Sequence, residues 1–474
     1  MLSDPATYVS LLYLAVVAAV GFVVALQARN RDLLEYFLAG RGTGSIVLAL
    51  SLGVTTLGAI GVVLLINPDI HSQGTALLAL AVLCSLLVVL GTVVSAKYQA
   101  AGVMTTPGLV ARRFGRFAGT SLGTVFVLLI ILVRLPLVLL GGSWMLTALT
   151  GWEPLTTAML MLVVAGLYTT AGGFPSVLLT QAVQGLTVVF SVVMLLGLHA
   201  GGQPLVVDLP IGPAEGMLPG PIVPFTASLA VVAVWYFWAD QFVIQRVLSA
   251  RGRLETRRGV LLGLAFVSVI ALLGVNLIGA GTILETPAAV DTLPVAMAAL
   301  LVLSLTLSAV AGMLQSAAAM VAIDIVQPFR RTATELSLVL VGRLATTGAA
   351  VVVLLLVSAL GPMSPAGLLT FVDAHVAVTP PAAALFVGVL FVRRMTPRGG
   401  TAAMLVGGVL ALAFLGIPAG WNLSAATFAV ASFALTMAAL VVFSYLPARQ
   451  ALAHEPEAAD VSMSPEHADA VATR

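Results

Sequence analysis

Long apolar runs follow one another along almost the whole chain, and short polar connections between them hold most of the charged residues. A helix of about 20 apolar residues is long enough to cross the ~30 Å hydrocarbon core of a bilayer. By this measure we predict about thirteen transmembrane helices. The runs lie near residues 6–27, 44–66, 74–96, 118–149, 153–171, 175–200, 225–247, 258–283, 293–326, 337–360, 365–393, 399–417 and 423–446.

The composition makes the chain an all-α polytopic membrane protein. Of its 474 residues, 60% are hydrophobic and 8% are charged, and the mean hydropathy is +1.13. No water-soluble core needs that much apolar surface. The first run lacks a basic segment before it and a small-residue cleavage site, so we interpret it as a retained helix. The single cysteine, Cys84, excludes an internal disulfide framework.

Outside the runs, basic residues are confined to every second connection. The connections between them hold acidic residues and histidine but no lysine or arginine, and only the turn at 170–173 lacks a basic residue on the basic side. The positive-inside rule then places the N-terminus outside and the C-terminus in the cytoplasm, in a multi-pass protein of the plasma (inner) membrane. The basic residues are Arg29, Arg31, Arg41, Lys97, Arg112, Arg113, Arg116, Arg246, Arg251, Arg253, Arg257, Arg258, Arg330, Arg331, Arg393, Arg394, Arg398 and Arg449.

The runs divide into two halves of similar length, residues 44–200 and 225–393, with five runs each. Because five is an odd number, the second half enters the membrane with the opposite orientation, as an inverted repeat requires. The remaining segments are an extra N-terminal helix and inner loop (1–43), an outer Pro/Gly-rich loop (201–224), two accessory helices (394–446) and a disordered cytoplasmic tail (447–474).

The run at 44–66 has small and polar residues in its middle, where leucine and isoleucine would have a more favourable free energy in lipid. One interpretation is a broken helix, whose free backbone groups line an ion and substrate site. The other is a small-residue face, from Gly53 to Gly58, that packs against another helix. We expect a similar break in the run at 225–247, which polar residues interrupt as well.

Several short motifs occur in a fixed order between residues 36 and 410. They are Tyr36-Phe37-Leu38-Ala39-Gly40-Arg41, Thr106-Pro107, Arg112-Arg113-Phe114-Gly115, Arg134-Leu135-Pro136, Tyr168 with Gly172-Gly173, Gln184-Gly185, Asp240-Gln241, Gln245-Arg246, Asp324-Ile325, Pro328-Phe329 and Phe391-Val392-Arg393-Arg394. With them the chain resembles the sodium:solute symporter family, which includes proline and pantothenate permeases and sodium/glucose cotransporters. The resemblance implies a leucine-transporter-like fold of five plus five helices, and it favours the broken-helix interpretation.

The resemblance also implies a sodium site between the first broken helix and the eighth core helix. Aligned on Asp324, its carbonyls belong to Val54, Leu57 and Leu305, and its first hydroxyl belongs to Ser308. Oxygen ligands of this kind suit a hard cation such as sodium.

This chain departs from the family pattern at two sodium-linked positions. Ala309 stands where a second hydroxyl is expected, and Gln181 follows Thr180 where an aspartate is expected. We therefore expect sodium to bind weakly or not at all. Three alternatives stay open: Thr55, Thr56 or water completes a weaker site, a proton is the coupling ion, or coupling is absent.

Five charged or titratable residues lie well inside the runs, namely Asp240, Asp373, His375, Arg134 and Arg343. A charge at the bilayer centre costs ~2.5–3.5 kcal/mol on insertion scales, so such residues are usually paired or functional. Asp240 and Asp373 are the candidate proton sites. Asp373 is either functional or a structural partner of Arg134. It shares no helical face with His375, but a locally unwound backbone would bring both to one cavity.

The resemblance places an aromatic gate of the substrate cavity at Tyr236. The candidate substrate-binding residues are Thr55, Thr56, Gly61, Tyr236, Asp373 and His375. Gly61 and Ala233 stand where the resemblance puts the sugar-binding amides of glucose-type members. Since a large polyhydroxylated substrate would leave hydroxyls unpaired, we expect a small amino acid, carboxylate or similar metabolite.

These features favour a secondary active symporter of a small polar solute, with the lipid bilayer and that solute as its partners and no nucleic acid. Two alternatives share the fold: a membrane sensor that does not transport, and an uncoupled facilitator. We expect no enzyme, because the runs hold no nucleophile–base pair or cluster of metal ligands. Apart from a possible sodium ion, we expect no cofactor.

Overall fold

A computed structural model describes residues 5–27, 32–66, 73–201, 222–279, 292–330, 332–416 and 424–446. Over these ranges the chain is almost entirely helical, and one isolated bridge pairs Thr43 with Ala250. The helices are α1 (Pro5–Gln27), α2 (Leu33–Leu38), α3 (Ser45–Ile66), α4 (Gln73–Val89), α5 (Ser95–Ala101), α6 (Thr106–Phe114), α7 (Arg116–Leu129), α8 (Leu135–Thr150), α9 (Pro154–Ala200), α10 (Ile222–Trp238), α11 (Gln241–Ser249), α12 (Arg253–Gly279), α13 (Thr292–Met320), α14 (Gln327–Phe329), α15 (Glu335–Leu360), α16 (Pro365–Phe391), α17 (Pro397–Gly416) and α18 (Ala425–Tyr445).

Short π-helical segments continue several helices without a break. They are Leu90–Val94 between α4 and α5, Ile130–Arg134 between α7 and α8, and Val321–Val326 between α13 and α14. Such segments carry an extra residue per turn, and they are frequent at functional sites. Two of the charged residues discussed below, Arg134 and Asp324, lie on them.

The described residues contain ten helices that are long and apolar enough to cross a membrane, or eleven if the bent pair α10–α11 counts as one span. The predicted number of about thirteen is therefore not confirmed. Part of the difference comes from α9, whose 47 residues cover two predicted spans. The predicted loop at 201–224 and the predicted tail at 447–474 lie almost wholly outside the described residues.

Helix α9 is bent at Gly173, where φ is 63° and ψ is −153°. Only glycine adopts this backbone conformation readily. A Cβ at this position would also meet the side chain and backbone of Tyr36. The predicted turn at 170–173 is thus a kink, and Pro175 follows it at the start of the second arm.

The prediction that the run at 44–66 is a broken helix is wrong. Helix α3 is one helix of 22 residues. The Thr55 hydroxyl donates to the Ser51 carbonyl in the preceding turn, at 2.6 Å. A hydroxyl that bonds back in this way serves its own helix, so it does not require an unwound backbone.

The alternative interpretation, a small-residue packing face, describes α3 better. Gly53 lies against the Phe266 side chain of α12, and Gly58 lies against the backbone carbonyl of Leu305 on α13. Small residues let two helices approach closely where lipid gives no hydrophobic driving force between them. The glycines of α3 therefore bring its backbone against α12 and α13.

The predicted break in the run at 225–247 is confirmed. Helix α10 ends at Trp238, α11 begins at Gln241, and the two helices are bent by 41°. All nine residues of α11 are buried. The span that contains α13 is also strongly enclosed, because 78% of its most apolar 18-residue stretch is buried. The core of the protein thus lies where α3, α9, α11 and α13 meet.

Two glycines of α3 give a matched test of this packing. In Gly58→Ala, the added Cβ collides with a backbone oxygen that cannot rotate away. We expect the free energy of unfolding to fall by about 1–3 kcal/mol, as overpacking usually costs. The thermal midpoint in detergent measures the change.

The control is Gly61→Ala on the same helix, where an added Cβ meets no atom within 4 Å. Since alanine also has the higher helix propensity, its midpoint should stay the same or rise. Equal midpoints for the two variants would contradict the close approach of α3 and α13.

Candidate functional site

The break between α10 and α11 is built around Asp240. The backbone N–H groups of Ala239 and Asp240 both donate to the Trp235 carbonyl, each at 2.9 Å. Asp240 then adopts an extended conformation (φ −69°, ψ 122°), and its side chain accepts the Phe242 N–H at 3.1 Å. Aspartate is a preferred N-cap residue, because its carboxylate satisfies an orphan donor in the first turn. The sequence thus ends one helix and caps the next at a single residue.

The same carboxylate forms a buried ion pair with Arg134. Arg134 Nη1 lies 2.8 Å from Asp240 Oδ2, and the two side chains are 5% and 2% exposed. The guanidinium also lies over the Trp235 and Phe242 rings, at 5.2 and 5.4 Å from their centroids. The alternative that made Asp373 the partner of Arg134 is therefore wrong. Asp240 is the partner, and it lies on the interrupted helix.

Aromatic and hydroxyl side chains from three helices meet above this ion pair. Trp235 packs edge-on against His375 of α16, with 5.0 Å between ring centroids. Tyr236 is 6% exposed, and its hydroxyl lies next to Thr56 of α3. Thr55 is fully buried one residue earlier. Of the predicted substrate site, the structure therefore places Thr56 beside Tyr236 and His375 beside Trp235, whereas the Thr55 hydroxyl bonds to the Ser51 carbonyl of its own helix.

Asp373 does not join this group. Helix α16 is continuous through Pro380 and Pro381, so the unwound backbone predicted at 373–375 is absent from it. The Thr379 hydroxyl donates to the His375 carbonyl at 3.0 Å, which helps to satisfy a helix that contains two prolines. Asp373 consequently lies on another face of α16 from His375 and is exposed.

Gly61 also lies apart from the buried group. It is half-buried on α3, and its α-carbon faces open space. Among the helices near the site, the first described part of α10 (225–232) is half-buried as well, whereas α11 is wholly buried. The packing around the site is therefore tight on the α11 side and looser on the opposite side.

The predicted sodium-site residues of α3 and α13 are close together. The Ser308 hydroxyl donates to the Leu305 carbonyl at 2.8 Å and lies 3.3 Å from the Val54 carbonyl oxygen. Leu57 follows Val54 by about one turn of α3. Because α3 is regular here, these carbonyls are not supplied by an unwound segment as expected. Gln181 Nε2 donates to the Ser308 carbonyl at 2.9 Å.

A family model described as "Sodium:solute symporter family" matches residues 36–293 and 287–407. The chain belongs to the sodium:solute symporter family. Among curated proteins, it is 25% identical to human sodium/glucose cotransporter 4 over 452 residues, covering 82% of this chain and 66% of that protein. It is also 25% identical to dog sodium/myo-inositol cotransporter over 488 residues, covering 85% of this chain and 66% of that protein. The chain thus spans less than two thirds of each of these two relatives.

Two solved structures share the fold of this chain. One is the substrate-bound outward-open state of a Na⁺-coupled sialic acid symporter, with a TM-score of 0.75 and 18% identity over 94% of this chain and 98% of that one. The other is Mhp1, a nucleobase-cation-symport-1 family transporter in a closed conformation, with a TM-score of 0.58 and 16% identity over 88% and 95%. The first of these likenesses covers almost the whole of both chains.

The sequence does not predict the burial of two charged residues. The apolar pattern places Arg246 in an inner connection, but it is fully buried within α11. The motif that contains Asp324 indicates family membership and no structural role. Asp324 is 6% exposed on the π-helical segment after α13, and its carboxylate accepts the Thr105 hydroxyl at 2.7 Å. Both residues lie at the ends of apolar runs, which predicts that water reaches them. Packing of other helices around them excludes that water.

The Arg134–Asp240 pair gives a double-mutant cycle. Arg134→Gln and Asp240→Asn should each lower the thermal stability strongly, because removing one partner of a buried pair typically costs about 3–5 kcal/mol. The double variant should lose clearly less than the sum of the two single losses. Chemical unfolding in detergent measures all four proteins. Strictly additive losses would contradict a direct interaction between the two side chains.

Proposed function

We propose that this symporter is a secondary active transporter that imports a small polar organic solute by alternating access. One observation carries the proposal. Several buried polar atoms around the α10–α11 break make no hydrogen bond within the described residues. They are Thr56 Oγ1, Trp235 Nε1, Tyr236 OH and His375 Nδ1, and of these the Thr56 and Tyr236 hydroxyls lie next to each other.

Buried polar groups are nearly always hydrogen-bonded, since leaving one unsatisfied costs about 1–3 kcal/mol. The four residues come from α3, α10 and α16 and lie around the Arg134–Asp240 pair. A bound polar solute would give these polar atoms partners. The proposed roles are hydrogen bonding for Thr56 and His375, closure of the cavity by the Tyr236 ring, and, for Thr55, a hydroxyl oxygen that can accept a hydrogen bond while it donates within α3.

The chemistry of this region supports a small solute rather than a sugar. The lining is mostly aromatic, and Gly61 and Ala233 offer no side-chain donors or acceptors. A polyhydroxylated solute would bury several hydroxyls without partners. An amino acid, a carboxylate or a similar small metabolite fits the few polar groups present. Glucose and myo-inositol, the solutes in the relatives' names, are therefore not proposed as solutes of this chain.

The gradient in packing supports a direction of entry. Helix α11, which precedes the arginine-rich connection, is wholly buried, whereas Gly61, Asp373 and the first described part of α10 are more accessible. In the predicted orientation, the protein lies in the inner membrane with its N-terminus outside and its C-terminus in the cytoplasm. The more accessible side of the site then faces outward. The solute would then pass Gly61 and Asp373 before it reaches Tyr236.

Cation coupling would supply the energy for accumulation. Each positive charge that enters at −100 mV supplies ~2.3 kcal/mol, enough for about 50-fold accumulation. Sodium would use Val54, Leu57, Leu305 and Ser308. A proton would use Asp373, which lies on the accessible side, or Asp240. Asp373 has no ion-pair partner among the described side chains.

Two alternatives keep the same site. Gln181 and Ala309 stand where the family pattern has sodium-linked residues. Their presence favours an uncoupled facilitator or a membrane sensor, because neither kind of protein needs to bind sodium. Both would bind the solute, but only transport by an ion-driven carrier builds a gradient. Flux measurements therefore separate the three.

We expect a thermal-shift screen of amino acids and small carboxylates to find a ligand, since a compound that binds only the folded state raises the midpoint. The radiolabelled ligand should then accumulate in proteoliposomes under an imposed inward proton gradient, and collapse of the gradient should release it. Equilibration without accumulation would identify a facilitator. Binding without any flux would identify a sensor.

Asp373→Asn should bring accumulation down from as much as about 50-fold to the equilibrium level, because the amide cannot exchange a proton. The thermal midpoint should stay close to that of the native protein, since Asp373 is exposed. Thr370→Val is the matched control, because it alters another exposed residue of α16 about one helical turn away. Undiminished accumulation by Asp373→Asn would remove Asp373 from the coupling mechanism.

A further inference from the structure

A chain of hydrogen bonds connects Arg246 to the predicted sodium site. Arg246 Nε donates to Ser51 Oγ at 3.1 Å, and Ser51 Oγ donates to Gln181 Oε1 at 2.6 Å. Gln181 Nε2 then donates to the Ser308 carbonyl at 2.9 Å. All four residues are completely buried. We refer to these four residues as the Arg246 relay.

The relay joins four helices at the place where a cation would otherwise join two. Arg246 lies on α11, Ser51 on α3, Gln181 on α9 and Ser308 on α13. A Cβ at Gly312, one turn after Ser308, would meet both the Arg246 guanidinium and the Gln181 amide. The relay is therefore packed against the backbone of α13, and it leaves no space there for a larger residue.

The oxygens that a cation needs are already used by protein donors. The Ser308 hydroxyl directs its proton to the Leu305 and Val54 carbonyls. The Ser308 carbonyl accepts the Gln181 amide. Ala309 is completely buried beside them and adds no oxygen. A sodium ion would have to break these bonds and would gain no new hydroxyl.

The charge of the relay also opposes a cation. No carboxylate lies within 4 Å of the Arg246 guanidinium among the described residues, and Asp240 is paired with Arg134. Gln181 is neutral and does not offset the charge of Arg246. The guanidinium therefore keeps its full positive charge, and the hydrogen bonds of the relay connect it to Ser308. The guanidinium also donates to the Phe242 carbonyl and lies 4.5 Å from the Phe242 ring centroid, which fixes it in place. Interior charges interact strongly because the surroundings screen them weakly.

We propose that the Arg246 relay replaces the coupling cation at the contact of α3, α9 and α13. Arg246 belongs to a motif that the chain shares with its family, so the decisive change is at Gln181: its neutral amide leaves the guanidinium with its full positive charge, and hydrogen bonds take over the bridging that metal–oxygen contacts would provide. Gln181 and Ala309 are then the residues that determine ion specificity at this site. The consequence for transport rests on the proposed function, but the binding claim does not.

The test compares thermal midpoints of the purified protein in sodium chloride and in potassium chloride at equal ionic strength. The native midpoint should be the same in both salts. The double variant Gln181→Asp/Ala309→Ser restores a carboxylate beside Arg246 and a second hydroxyl beside Ser308. Its midpoint should rise with sodium and saturate, and at ten times Kd the folded-to-unfolded ratio should increase about 11-fold.

The single variant Ala309→Ser is the matched control, since it adds the hydroxyl but leaves the guanidinium unneutralised. It should respond to sodium much less than the double variant. A folded double variant that ignores sodium would overturn the proposal. So would a saturable, sodium-specific rise in the native protein that Ser308→Ala abolishes.

Ser51→Ala tests the relay without creating a new site. It removes the central hydroxyl, so the midpoint should fall by the same amount in both salts. An unchanged midpoint would mean that the relay does not hold the helices together, and it would overturn the proposal even if the double variant failed to fold. None of these measurements uses a solute. Absent uptake would therefore remove the proposed transport function and leave the relay intact.

Discussion

Hydrocarbon offers no hydrogen bonds, so every polar group at membrane depth must find its partner inside the protein. The Arg134–Asp240 ion pair follows from this constraint at the point where α10 and α11 separate. Asp240 ends one helix, caps the next and neutralises a guanidinium, all with one carboxylate. A helix broken without such a residue would expose backbone groups to lipid at a cost of several kcal/mol each, by the order of magnitude of unpaired groups in hydrocarbon. The break, and with it the site, depends on this pair.

The same constraint explains why α3 is regular although its sequence suggests a break. Threonine and serine hydroxyls satisfy helix carbonyls, and they can do so either in an unwound segment or within a regular turn. In α3 the Thr55 hydroxyl returns to its own preceding turn, and Ser51 is held by the Arg246 relay. The glycines then serve close packing against α12 and α13. One composition is compatible with both structures, and the partners on other helices decide between them.

Sequence patterns predicted the helical membrane class, the broken run at 225–247 and the contact between Val54 and Ser308. Each depends on signals in the sequence itself: apolar length, polar residues within an apolar run, or a family alignment. The sequence did not predict the burial of Arg246 or the separation of Asp373 from His375. Arg246 lies at the end of an apolar run, as a residue at the membrane surface would, and only packing of α2, α3, α5 and α13 around α11 encloses it. Asp373 and His375 were expected to meet through unwound backbone, but α16 accommodates its two prolines as a helix. The proposed site roles remain predictions.

Helix α11 connects the two buried charge systems, because Asp240 caps its first turn and Arg246 lies in its last. Nine helical residues span about 14 Å. A short, wholly enclosed helix of this kind has little room to bend. In the transport cycle that we propose, displacement of its first turn by a solute at Tyr236 would therefore be passed to Arg246, and through Ser51 and Gln181 to α13. Opening of the site to the arginine-rich side would then require both charge systems to rearrange together. Two interactions that must break at once make a two-state change, which is what alternating access needs.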